Sequence, residues 1–62
     1  MDSAGRYRLT LTVDGATVAT GWWEKPATAD KKFRDWIGDH GHGTARIFLV
    51  DTETGETLKA WP

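Results

Sequence analysis

The stretch VDGATVATGWW, residues 13–23, decides how this chain folds. Asp14-Gly15 is a two-residue hairpin signal, because a type I′ turn needs positive φ at both central positions and these two residues accept it. The residues before it, RYRLTLTV (6–13), alternate, with Tyr7, Leu9, Leu11 and Val13 on one face and Arg8, Thr10 and Thr12 on the other. That is the pattern of a half-buried strand. The turn pairs Val13 with Ala16. A regular ladder then sets Leu11 opposite Val18, Leu9 opposite Thr20, Tyr7 opposite Trp22 and Arg6 opposite Trp23. This register predicts Trp22 in the core and Trp23 on the outer face beside Arg6 and Arg8. A one-residue slip reverses every assignment, at the expense of taking Val18 off the core side.

Downstream of Trp23 the signals change. Pro26 suits the first position of a helix, with Thr28 a competing N-cap and Asp30 favoured near the positive helix end. ATADKKFRDWIGDHG (27–41) places Ala29, Phe33, Trp36, Ile37 and His40 on one stripe, predicting a helix over about residues 27–40 that Gly41 stops in the left-handed conformation. TARIFLVD (44–51) reads as a third strand. TETG turns with Gly55 at the left-handed position, and ETLKAW (56–61) returns as a fourth strand. Pairing Asp51 with Glu56 sets Leu49 opposite Leu58 and Ile47 opposite Ala60 on the core side, with Phe48 against Lys59 and Arg46 against Trp61 outside.

The expectation is one α+β domain over residues 1–62, with residues 1–5 frayed and strands near 6–13, 16–24, 44–51 and 56–61. Its ββαββ order predicts a four-stranded mixed sheet of order 2-1-4-3, with strands one and four parallel at the centre and the helix across one face. The expected core is Tyr7, Leu9, Leu11, Val18, Trp22, Ala29, Phe33, Ile37, Ile47, Leu49 and Leu58.

Composition narrows the function classes. The chain has 62 residues, a net charge of −1, no Cys and four Trp. A fold this small buries only about 60% of the surface its unfolded chain exposes. Without cysteines, disulfides and thiolate zinc sites are excluded, and bulky aromatics have to supply the core. The near-neutral charge gives no global field towards nucleic acid or membrane. No apolar run approaches the ~18 residues of a membrane span, and the start MDSAGRYR lacks a signal-peptide core. A complete, cytoplasmic small protein is expected. The lack of Asn and Gln beside abundant Ala, Gly and Thr points to a GC-rich, bacterial source.

The helix ATADKKFRDWIGDHG, with its Ala-Thr-Ala opening, Lys31, Phe33, Trp36 and Gly41, together with the strand opening YRLTL and its Gly-containing hairpin, resembles the β-grasp architecture. The likeness is greatest to the immunoglobulin-binding domains of protein G. That resemblance implies antibody binding through the outer helix face, at positions Asp30, Lys31, Arg34 and Asp35, and through the neighbouring third strand. It also implies edge-strand pairing with a second antibody surface. Only Lys31 keeps its residue type, and ARIF (45–48) lacks the family's tryptophan on strand three.

Among chemical motifs, DHGHG offers Asp39, His40 and His42 as metal ligands, but two imidazoles in a glycine loop define no geometry, and His40 suits a helix C-terminus without one. No metal or cofactor is expected. Ser3 has no catalytic partners, and Asp14, Asp51, Glu53 and Glu56 suit turns, so no enzymatic role is expected. The outer sheet face is more informative. The regular registers place Arg8, Trp23, Arg46, Phe48, Lys59 and Trp61 there, a mixture of aromatic and cationic residues found at interface centres. Arg6–Trp23 and Arg46–Trp61 can equally be cation–π pairs that only cover the sheet. The expected function is non-enzymatic binding of another protein, or self-association, through this face or an edge strand. Trp23, Phe48 and Trp61 would be the anchors. The alternative is single-stranded nucleic acid stacked on the same face, and antibody binding ranks last.

Overall fold

The computed structural model describes residues 5–62. Ser3 and most of the segment expected to fray lie outside the described residues. Strand β1 (Tyr7–Val13) and strand β2 (Ala16–Trp23) form the first hairpin. Helix α1 (Pro26–His40) follows, and strands β3 (Arg46–Asp51) and β4 (Glu56–Trp61) form the second hairpin. Asp14 and Gly15 both have positive φ, as the type I′ turn requires, and Gly55 is left-handed in the second turn. Pro26 opens the helix with Lys25 as the N-cap, and no side chain caps it, Thr28 included.

The sheet is antiparallel throughout, in the order β2-β1-β3-β4. The expected order 2-1-4-3, with a parallel centre, is corrected: β1 pairs with β3, setting Leu9 against Leu49 and Leu11 against Ile47. The physical reason is in the strand compositions. RIFLVD carries four consecutive apolar residues and ETLKAW three scattered ones, and a central position is worth most to the strand with the most surface to bury. Leu9 and Ile47, one from each central strand, have no exposed surface at all. The helix then crosses from β2 to β3 over a single intervening strand. A helix about 10 Å across covers three strands spaced about 4.8 Å apart, and α1 accordingly packs on β1, β2 and β3.

Both hairpins depart from a regular ladder at the same place. Thr12 pairs with Thr17 but Leu11 pairs with Ala19, so Val18 is an extra residue in β2. Val50 pairs with Thr57 but Leu49 pairs with Lys59, so Leu58 is an extra residue in β4. Each bulge is the third residue of its strand, and each reverses the faces of everything beyond it. The expected core positions Val18, Trp22 and Leu58 are therefore corrected: they are 57%, 45% and 45% exposed. Trp23 and Trp61 instead pack against the core of Leu9, Leu11, Ala29, Phe33, Ala45, Ile47 and Leu49.

Two glycines make room for these two rings. A Cβ on Gly21 would collide with the Trp23 indole, and a Cβ on Gly41 would collide with the Ile37 carbonyl oxygen and crowd the Trp61 ring. Gly41 ends the helix with φ −78°, not in the left-handed region expected of it. Its backbone conformation is open to any residue, so the requirement for glycine there is spatial. Trp23 also meets Trp36 edge to face, with ring centroids 6.3 Å apart.

These placements separate the adjacent tryptophans by experiment. In urea unfolding, Trp23→Ala should lose about 3 kcal/mol, as expected for truncating a packed aromatic, whereas Trp22→Ala should lose less than about 1 kcal/mol.

Candidate functional site

Only one side of the sheet carries the helix. The other side is read directly from the bulged registers. Its first row runs Trp22–Arg8–Val50 across β2, β1 and β3, and its second runs Thr20–Thr10–Phe48–Ala60 across all four strands. The third row runs Thr17–Thr12–Arg46. Trp22 stands exposed at one edge, Phe48 and Val50 are half-buried in the centre, and Arg46 is exposed. Arg8 and Arg46 make no ion pair among the described residues, whereas the guanidinium of Arg34 and the ammonium groups of Lys31 and Lys59 are each held by a carboxylate.

Of the six residues expected on this face, the structure brings together three: Arg8, Arg46 and Phe48. The other three, Trp23, Lys59 and Trp61, are on the helix side and are corrected as site residues. Both tryptophans moved with the bulges. Lys59 follows Leu58 and turns under the helix, where its ammonium pairs with Asp30 and lies 5.9 Å from the Phe33 ring centroid. It ties the outlying strand β4 to α1. The residue missed by the regular register is Trp22, the largest apolar group on the open face. One signal could have found it. The regular ladder puts the Thr20 hydroxyl opposite Leu9 in the core, whereas the bulged ladder puts Gly21 there, under the Trp23 ring.

The carboxylates are elsewhere. Asp30 and Asp35 form i,i+4 pairs with Arg34 and Lys31 along the helix, at 3.0 and 3.1 Å. The four helix positions implied by the protein G resemblance are thus engaged with one another, in exposed pairs worth little stability each. Asp51, 6% exposed, receives Arg6 in a two-pronged contact, Nε to Oδ1 at 2.9 Å and Nη2 to Oδ2 at 2.8 Å. It also accepts the Glu53 backbone N–H at 3.0 Å. Neither expected cation–π pair forms; Arg6 lies over Tyr7, at 5.4 Å from the ring centroid. Asp14 accepts a hydrogen bond from the Thr44 hydroxyl at 2.7 Å, joining the first turn to the loop after the helix. No described carboxylate falls on an open-face register position.

A cleft of about 430 Å³ lies on the helix side, at the end marked by that Asp14–Thr44 contact. Its floor is Leu11, Ala19 and Ala45, its outer wall Val13 and Val18, and His40 and His42 stand at its rim. His40 packs edge to face on Trp36, at 6.4 Å. Among the described residues no three His, Cys, Asp or Glu side chains gather as metal ligands would. No described helix is long and apolar enough to cross a membrane.

No family model matches this chain, and neither a curated protein nor a solved structure does. The chain has the ββαββ order of elements, in an antiparallel sheet of order β2-β1-β3-β4.

The Arg6–Asp51 contact has a pH signature. Arg6 donates two hydrogen bonds to the Asp51 carboxylate and holds its pKa below the ordinary 3.8, against the opposing effect of burial. A lowered folded-state pKa stabilises the fold fully above the unfolded value, and that contribution is lost as pH falls through the folded value. Asp51→Asn should therefore be less stable than wild type at pH 7, with the difference shrinking as the pH drops below about 4. Urea midpoints between pH 7 and 2 check this. Asp30, lowered in the same sense chiefly by Lys59, leaves both proteins some residual acid sensitivity.

Proposed function

We propose that this protein is a small non-enzymatic binding module whose contact surface is the open face of the sheet and whose partner is another protein. Trp22 and Phe48 are the apolar anchors, and Arg8 and Arg46 orient the partner. The observation that carries the reading is the exposure of Trp22 beside Arg8, on a face where neither Arg8 nor Arg46 has a carboxylate partner among the described residues. Aromatic and Arg residues supply most of the energy at protein interfaces, and Trp22 is 45% exposed there. The face holds threonines, arginines and apolar groups, with no nucleophile–base pair among them, which favours binding over catalysis.

The alternative contact surface, an edge strand, is less supported. Both edge strands carry their bulge in mid-strand. Bulges at sheet edges interrupt the row of free backbone groups that a pairing strand needs, and are a common protection against it. Single-stranded nucleic acid is a second reading of the same face, favoured by two aromatic rings beside arginines that make no ion pair among the described residues.

Affinity capture from the source cells, with wild type beside Trp22→Ala/Phe48→Ala, tests the reading. The double variant should keep the wild-type far-ultraviolet circular dichroism and lose the captured protein. Capture should survive nuclease treatment. Nucleic acid held by two arginine–phosphate contacts would instead give a log–log salt slope of about −1.4. Retention of every partner by the double variant would contradict the proposal.

A further inference from the structure

We infer that the occupant of the open face is an acidic, extended segment of another protein, of the pattern acid–x–apolar–x–acid, and not a second copy of this chain. The inference rests on the binding role proposed for that face. Its first support is charge. The chain as a whole is −1, yet among the described residues the only ionisable side chains at open-face register positions are Arg8 and Arg46. Packing this face on its own copy would gather four guanidinium groups with no carboxylate to meet them, and like charges across an interface oppose association. An acidic partner meets the same two groups with complementary charge.

Size is the second support. The three rows span about 13 Å along the strands and four strands span about 14 Å across them. That is a few hundred Å² at most, well under the roughly 800 Å² each partner contributes to a stable interface between globular proteins. A short extended segment fits such a face; a folded domain or a dimer does not use enough of it.

Geometry gives the pattern. Arg8 and Arg46 are one strand spacing and four residues apart, about 14 Å from one Cα to the other. A segment in β conformation presents alternate residues to one side and advances about 13 Å over four residues. Residues i and i+4 then reach the two arginines. Residue i+2 falls between them, over the row where Thr10 pairs with Phe48. The apolar side chain of the motif rests on Phe48, with Trp22 flanking the end at Arg8.

The test uses NMR titration of the intact chain with three peptides capped at both ends: Glu-Ser-Phe-Ser-Glu, Lys-Ser-Phe-Ser-Lys and Glu-Ser-Ser-Ser-Glu. The expected result is saturable shifts at Arg8, Thr10, Arg46 and Phe48 with the first, at least about tenfold tighter than with the second, and weaker binding of the third. Arg8→Glu/Arg46→Glu should reverse the preference between the first two. Binding that ignores peptide charge but disappears in Trp22→Ala/Phe48→Ala overturns the inference and leaves the binding face standing. Absence of shifts at these residues with the first peptide overturns it as well. So does tighter binding of the oligonucleotide dT15 at the same residues, which gives the face to nucleic acid. Sedimentation showing a dimer that Phe48→Ala dissociates gives it to a second copy.

Discussion

One inserted residue in each hairpin governs the structure. Val18 in β2 and Leu58 in β4 are each opposed by no partner of their own. Because strand side chains alternate with period two, one unpaired residue transfers everything beyond it to the opposite face. The first bulge takes Trp23 under the helix edge and releases Trp22 to solvent; the second takes Lys59 and Trp61 under the helix side. The core of a chain too short for a large hydrophobic centre is thereby completed from both edges of its sheet. Trp23 closes it against Trp36, and Trp61 closes it beside Gly41.

The same two residues shape the surface. With Trp23, Lys59 and Trp61 turned inward, the open face keeps Trp22, Phe48, Val50 and the arginines at 8 and 46. Lys59 is spent on Asp30 and Arg6 on Asp51, so the arginines left on the open face are, among the described residues, the ones without carboxylates. The register thus decides which cations stand on the open face: Arg8 and Arg46 keep their places on the unbulged strands, and Lys59 leaves it. A regular ladder from the same sequence would have placed Lys59 and two different tryptophans outside.

The order of elements was legible from local signals: an Asp-Gly turn, a Pro-initiated amphipathic helix, a second turn with its left-handed glycine. The centre of the sheet was not, because the usual closure of a ββαββ chain brings strands one and four together there. Comparing RIFLVD with ETLKAW would have put β3 in the middle. The faces of β1 and β3 were read correctly, since Leu9, Leu11, Ile47 and Leu49 alternate without interruption. Those of β2 and β4 were read correctly only up to the bulge. Val18 and Leu58 look like core residues when counted from the turn, and a strand's alternation carries no mark of an inserted residue. The glycine at position 21 was the available clue. Half of the candidate face, Arg8, Arg46 and Phe48, survived because it lies on strands without bulges.

The most direct test of this account is a set of nuclear Overhauser contacts from the indole rings of Trp22, Trp23 and Trp61. The account predicts contacts from Trp23 to Trp36 and Gly21 and from Trp61 to Gly41, with the Trp22 ring close only to open-face neighbours such as Arg8. Contacts from the Trp22 ring to Phe33 or Trp36, with Trp23 facing Arg8, would contradict it and restore the regular ladder.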